Sequence, residues 1–220
     1  MSRSGGDAAR LCSSWSPDRP AFVGDPAMHV GDDGDVDAIS NDALVSRCDA
    51  MVVRVLAWCQ RHDCKVAAAE SLTGGLLADA FVRIPGASTV FLGSAVTYDV
   101  AAKASILHVD ADLLRREGAV YPEVARQMAR SAAALYAQPD YGDRIIGLAT
   151  TGVAGPGPDG PKPAGLVYIG VSLPALESSS AARSTWVGEL RCSGSRARIR
   201  RVTVLRVLQN LSQFTANSQE

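Results

Sequence analysis

Five short apolar runs, each bounded by turn residues and too brief for a helix, alternate along this chain with longer segments whose apolar residues recur every three or four positions. The runs are Cys64 to Glu70 (CKVAAAE), Val90 to Asp99 (VFLGSAVTYD), Arg144 to Thr150 (RIIGLAT), Leu166 to Leu173 and Ser184 to Leu190. They read as strands, the first of them buried on both faces. The periodic segments read as helices. The first is capped by Ser40 or Asn41 and runs to about His62, with Leu44, Cys48, Met51, Val52, Val55, Leu56 and Cys59 on one stripe. Others run from near Thr73 to before Pro85, from Ala101 to Leu107, from the cap Asp110 to Glu117, from Pro122 to near Ala137, and from Arg196 to Phe214. Strands interleaved with helices imply an α/β sandwich whose helices cover both faces of the sheet.

At 220 residues, 47% of them apolar, the chain can bury one large core and is short for two. The expected domain spans residues 41–214. Residues 1–40, rich in Ser, Gly, Asp and Pro (SPDRP, GDDGDVD), offer no repeating apolar face and are expected to be a disordered arm. Residues 215–220 are expected to be a frayed tail. With 22 Lys and Arg against 23 Asp and Glu, no global field attracts nucleic acid or a membrane, so a small-molecule ligand is the better expectation. The five cysteines (Cys12, Cys48, Cys59, Cys64, Cys192) form no CxxC pair and read as reduced thiols. Together with the lack of a membrane-length apolar run or a signal-peptide pattern, they predict a cytoplasmic protein.

The densest chemical signal is AESLTGG, Ala69 to Gly75, where a strand stops at Ser71 and two glycines open a helix. A junction of this kind exposes a hydroxyl beside backbone N–H groups that can hold a phosphate or an oxyanion, with Thr73, Gly74 and Gly75 as the donors. A serine nucleophile needs a base. Of the three histidines, His29 lies in the arm, His62 ends a helix and His108 sits in an apolar stretch, so neither a Ser-His-Asp triad nor a metal site is expected. Of the three lysines, Lys65 opens the first strand and Lys162 lies in a Pro-Gly loop. Lys103 follows the second strand. If the first two strands are neighbours, Ser71, Tyr98 and Lys103 share one sheet edge, the place where open α/β sheets bind ligands. A desolvated lysine can accept the serine proton, with Tyr98 passing or steadying it. On spacing alone a helix cap, a strand residue and a solvated lysine account for the same three residues.

Two further segments carry weaker signals. TTGVAGPGPDGPKPAG, Thr150 to Gly165, has the glycines of a phosphate- or sugar-binding loop, with Gly152, Ala154 and Gly155 as contacts, and equally those of a long surface loop. Arg196, Arg198, Arg200 and Arg201 read mostly as a solvated helix face, from which one arginine can reach a substrate anion.

Taken together, AESLTGGLLADAFVRIPGAS, GSAVTYDVAAKASILHV, GAVYPEVARQMA, TTGVAGP with KPAGLVYIGV, and GSRARIRRVTVLRVL resemble the CinA C-terminal domain family of nicotinamide-nucleotide amidohydrolases, in order and over about Asn41 to Phe214. The resemblance implies a three-layer α/β/α sandwich with a mixed, mostly parallel sheet of about five strands. It implies hydrolysis of the carboxamide of nicotinamide mononucleotide with no cofactor, a homo-oligomer, and a serine nucleophile, lysine base and tyrosine that map onto Ser71, Lys103 and Tyr98. Arg196 and the Gly152 to Gly157 loop are the expected ribose and phosphate contacts. Three departures touch that substrate side: Tyr121 where many members have a serine after GAV, Ser195 where Gly-Asp-Arg is usual, and GPDGPKP after GVAGP. Many family members also carry a larger N-terminal domain with a nucleotide-hydrolysing activity, which forty polar residues cannot encode. Two other classes of function compete: a nucleotide-binding module without turnover, and an interaction protein of DNA uptake or damage response.

Overall fold

Local side-chain caps set most of the helix starts. Ser40 accepts the Ala43 N–H at 3.1 Å and opens α1 (Asn41–Arg61). Asp99 accepts the Ala102 N–H at 3.2 Å and opens α3 (Val100–Leu107). Asp110 accepts from Asp112 and Leu113 to open α4 (Ala111–Glu117), and Pro122 begins α5 (Pro122–Leu135). The remaining helices are α2 (Leu76–Val82) and α6 (Arg196–Asn217). The computed structural model describes residue 36, residues 39–175 and residues 183–217.

The strands are β1 (Lys65–Glu70), β2 (Phe91–Val96), β3 (Ile145–Gly152), β4 (Leu166–Leu173) and β5 (Ser184–Arg191). They form one mixed sheet in the order β2-β1-β3-β4-β5. β1 pairs in parallel with β2 and β3, whereas β4 runs antiparallel to both its neighbours. The carboxyl ends of β1, β2 and β3 therefore share one edge. α1, α2 and α6 cover one face through a core that includes Val66, Ala68, Ile146, Leu148, Val167 and Ile169. α3, α4 and α5 cover the other through Ala69, Leu107, Leu113, Val124, Met128 and Ala149. This is the three-layer α/β/α sandwich.

Small residues let α5 lie close to the sheet. A Cβ on Gly147 would sit 1.9 Å from the Ala129 carbonyl oxygen, and one on Gly170 would sit 2.6 Å from that of Ala125. The alanines of α5 face these two glycines, so neither side of the contact has room for a larger group.

Three boundaries differ from expectation by three residues. β2 ends at Val96 instead of Asp99, because the Thr97 N–H turns to the Glu70 carbonyl (2.9 Å) and Asp99 is used as a cap. α2 begins at Leu76 and not near Thr73, because Gly74 and Gly75 hold left-handed φ values of 55° and 95° that interrupt the helix. α6 continues to Asn217, past Phe214, so the expected tail enters the helix before leaving the described residues. The expected disordered arm also lies outside the described residues, apart from Val36, Ile39 and Ser40. Of these, Val36 is buried in the core and its carbonyl accepts a bond from Arg198.

Candidate active site

Ser71 stands one residue past β1, its N–H held by the Thr150 carbonyl of β3 at 3.0 Å. Lys103, in the first turn of α3, reaches under the end of β2. Its Nζ lies 3.0 Å from Ser71 Oγ and 2.6 Å from the Thr97 carbonyl oxygen. Lys103 is 0% exposed and Ser71 8%. No carboxylate forms an ion pair with Lys103 among the described residues. Burial pushes its ammonium down from 10.5 to about 8, against a smaller opposing pull from Asp99. A large share of the lysine is thus neutral near pH 8. With one N–H given to Thr97, its lone pair can face the serine hydroxyl.

The turn that follows is built by two long-range side chains. Glu70 is completely buried and accepts four hydrogen bonds: from the N–H groups of Gly75 (2.9 Å), Leu77 (3.1 Å) and Ala78 (2.9 Å), and from Ser94 Oγ (2.9 Å). The start of α2 is therefore already occupied by a carboxylate. This corrects the expectation that Gly74 and Gly75 offer their N–H groups to a ligand, since Gly74 donates to the Ser71 carbonyl (3.1 Å) and Gly75 to Glu70. Thr73 is buried, with its hydroxyl 2.8 Å from that of Thr150. The backbone N–H groups of Leu72 and Thr73 meet no acceptor among the described residues, although both residues are buried. Donors of this kind beside a serine hydroxyl have the chemistry to receive a negatively charged oxygen.

From α6, Arg200 donates through Nε to the Leu72 carbonyl (2.8 Å) and through Nη2 to the Thr73 carbonyl (2.7 Å). The arginine cluster is thus only in part a solvated face. Arg198 binds Val36 and Asn41, and Arg196 binds the Gly155 carbonyl (2.6 Å) and the Tyr98 hydroxyl (2.8 Å). Ser195 accepts the Arg198 N–H at 3.3 Å, capping α6 where a family aspartate is usual.

Tyr98 is on the expected edge but 61% exposed, its hydroxyl on Arg196 with no bond to Ser71 or Lys103 among the described residues. In the Gly-rich segment, Gly152 is the last residue of β3, where a Cβ would lie 2.7 Å from the Leu166 carbonyl oxygen. Ala154 is buried in the core, and Gly155, at φ 76°, presents its carbonyl to Arg196. Sequence reasoning found Ser71 and Lys103 together and missed Glu70 and Arg200. A carboxylate directly after the apolar run Val66 to Ala69 was the available signal for Glu70. Nothing local distinguished Arg200 from its neighbours.

Three thiols are buried and held in the protonated form. Burial pushes Cys48 and Cys64 up to about 11 and Cys59 up to about 12, and none of the four described cysteines is in a disulfide. Among the described residues no three His, Cys, Asp or Glu side chains converge as metal ligands, and no helix is long and apolar enough to cross a membrane.

Residues 49–215 match the family model described as the CinA C-terminal domain. A competence-damage inducible protein of Caldanaerobacter subterraneus subsp. tengcongensis is 38% identical over 172 residues, 78% of this chain and 38% of that protein. A CinA-like protein of Frankia casuarinae is 38% identical over 168 residues, 76% of this chain and 36% of its own length. This chain spans less than two fifths of either relative. Among solved structures, the competence/damage inducible protein CihA of Agrobacterium tumefaciens superposes with a TM-score of 0.65 at 31% identity, covering 79% of this chain and 96% of that one. The competence damage-inducible protein A of Klebsiella pneumoniae shares the fold with a TM-score of 0.68 at 24% identity, covering 78% and 99%.

Proposed function

This chain belongs to the CinA C-terminal domain family, and from that premise and the site geometry we propose that it hydrolyses the carboxamide of nicotinamide mononucleotide to nicotinate mononucleotide and ammonia. The observation that carries the proposal is the buried contact of 3.0 Å between Lys103 Nζ and Ser71 Oγ. In the proposed reaction neutral Lys103 takes the Ser71 proton as Oγ attacks the carboxamide carbon. The N–H groups of Leu72 and Thr73 receive the oxyanion. Collapse expels the amide nitrogen, which leaves as ammonia with the proton returned by Lys103. Water, deprotonated by the same amine, then cleaves the acyl ester and restores Ser71.

Purified protein incubated with nicotinamide mononucleotide and no added metal is expected to release ammonia and nicotinate mononucleotide in equal amounts, and the Ser71→Ala variant neither. Products from both proteins alike would remove Ser71 as nucleophile. A folded wild type that releases nothing would remove this substrate.

The active form carries an unprotonated lysine, so kcat/KM is expected to rise with pH and level off above about pH 8. A rate that falls across pH 7 to 9 in the wild type would contradict Lys103 as base. Tyr98 belongs in this scheme to the substrate rim, together with Arg196. Tyr98→Phe is expected to raise KM several-fold with kcat nearly unchanged. A large fall in kcat at constant KM would instead return Tyr98 to the proton path.

A further inference from the structure

We propose that Arg200 is a positioning residue for this reaction: by clamping the Leu72 and Thr73 carbonyls it turns the Thr73 N–H toward the oxygen of the carbonyl under attack. The inference rests on Ser71 being the nucleophile. Its physical basis is the trans peptide plane, in which the C=O of one residue and the N–H of the next point in opposite directions. The guanidinium of Arg200 pulls the Leu72 C=O toward α6, at 2.8 Å. The Thr73 N–H, in the same plane, is thereby pointed away from α6. α3, from which Lys103 reaches Ser71 Oγ, packs on the opposite side of the sheet from α6.

The same clamp accounts for which donors are left over. The Thr73 C=O is held at 2.7 Å by Arg200, which sends the Gly74 N–H back onto the Ser71 carbonyl at 3.1 Å. The Ser71 carbonyl, fixed in turn, sends the Leu72 N–H the opposite way. Two successive buried residues after the nucleophile are thus left with N–H groups that meet no acceptor among the described residues. A buried donor without an acceptor is costly and persists where the surrounding structure imposes it for a purpose. Gly74 completes the device. At φ 55° it takes a turn that side chains disfavour, and a Cβ there would lie 3.3 Å from Arg200 Nη2, so glycine leaves the guanidinium room to approach. Arg200 pairs with no carboxylate among the described residues, and its guanidinium donates to both carbonyls of this turn.

The test compares wild type, Arg200→Ala and Arg200→Lys by two readouts: turnover of nicotinamide mononucleotide, and labelling of Ser71 by a fluorophosphonate probe, whose phosphoryl oxygen occupies the same oxyanion site whatever the natural amide. Arg200→Ala is expected to slow labelling and kcat by roughly 10²-fold, with KM changed only a few-fold, as for removal of one oxyanion donor. Millimolar guanidinium is expected to restore a large part of the labelling rate without raising the melting temperature, because the ion refills the clamp. Arg200→Lys, which keeps the charge and reaches one carbonyl, is expected to melt with the wild type and lose about tenfold, so the proposal stands or falls on it if the alanine variant does not fold. Wild-type labelling rates in either folded variant, or losses that track stability and ignore guanidinium, would overturn the role of Arg200 and leave Ser71 in place. A wild type whose labelling is unaffected by Ser71→Ala would overturn the nucleophile, and this inference with it.

Discussion

Replacing Lys103 by methionine is expected to abolish turnover and, at neutral pH, to make the protein more stable. The ammonium is completely buried, and burial holds its pKa near 8 against 10.5 in water. The folded state therefore binds its proton less tightly than the unfolded chain does. Below about pH 8 both states carry the proton, and the native state bears the full cost of the buried charge, about 3 kcal/mol. Between pH 8 and 10.5 only the unfolded chain remains protonated, so wild-type stability rises with pH until that cost is gone. Methionine has similar length and no charge. Losing the bonds to the Thr97 carbonyl and Ser71 Oγ gives back about 2 kcal/mol, leaving a net gain of about 1 kcal/mol, or roughly 3 °C for a domain of this size. Thermal melts at pH 7 and pH 10 check this: the gain should be present at the first and vanish at the second. A Lys103→Met protein that melts lower than wild type at pH 7 would show that the amine supports the fold and is not held there at its expense.

The opposite outcome is expected at the neighbouring carboxylate. Glu70→Ala strips the acceptor from four donors at once, three of them N–H groups at the start of α2, and leaves that of Leu77 buried and the others half-buried. Hydrogen bonds to a charged group are worth about 1.5–3 kcal/mol apiece and do not add fully, so a loss of about 3–5 kcal/mol is expected. Glutamine is a poor substitute. Its NH2 must face one of the two donor pairs, and only Ser94 Oγ can turn round to accept from it. Urea unfolding of both variants reads the effect directly, with Glu70→Gln between wild type and alanine. A Glu70→Ala midpoint within a few tenths of a molar of wild type would mean that the carboxylate does not hold the turn. Because the same turn carries the Leu72 and Thr73 N–H groups, activity is expected to fall with stability at Glu70, whereas at Lys103 the two move in opposite directions.

The contrast between these two residues also marks where the sequence was legible. Lys103 could be found because its position is local in two senses: it lies one helical turn after the cap Asp99, and the strand before it is the immediate neighbour of the strand before Ser71. Two parallel strands in adjacent positions bring their carboxyl ends together whatever the rest of the sheet does. Glu70 is not legible in this way although it belongs to the motif that carries the resemblance, because two glycines after a strand read as the opening of a helix. The structure makes them the left-handed turn that lets α2 start late, on a carboxylate.

The sequence by itself determined the alternation of strands and helices, and with it the α/β class, because apolar period and turn residues act within a few positions of one another. It determined the cap at Asp110 and narrowed that of α1 to Ser40 or Asn41, because the partners lie two or three residues away. It also determined that Ser71 and Lys103 would meet if β1 and β2 were neighbours. Only the tertiary structure decided that they are neighbours, and that β4 turns back antiparallel on β3. It alone placed the Tyr98 hydroxyl on Arg196, 98 residues away, and the Arg200 guanidinium on the Leu72 and Thr73 carbonyls, more than 120 residues away. The physical reason is range. A contact between near neighbours is set by the fixed geometry of a helix or a turn, whereas a side chain reaching across the fold chooses among many acceptors, and packing of the layers decides which one it meets.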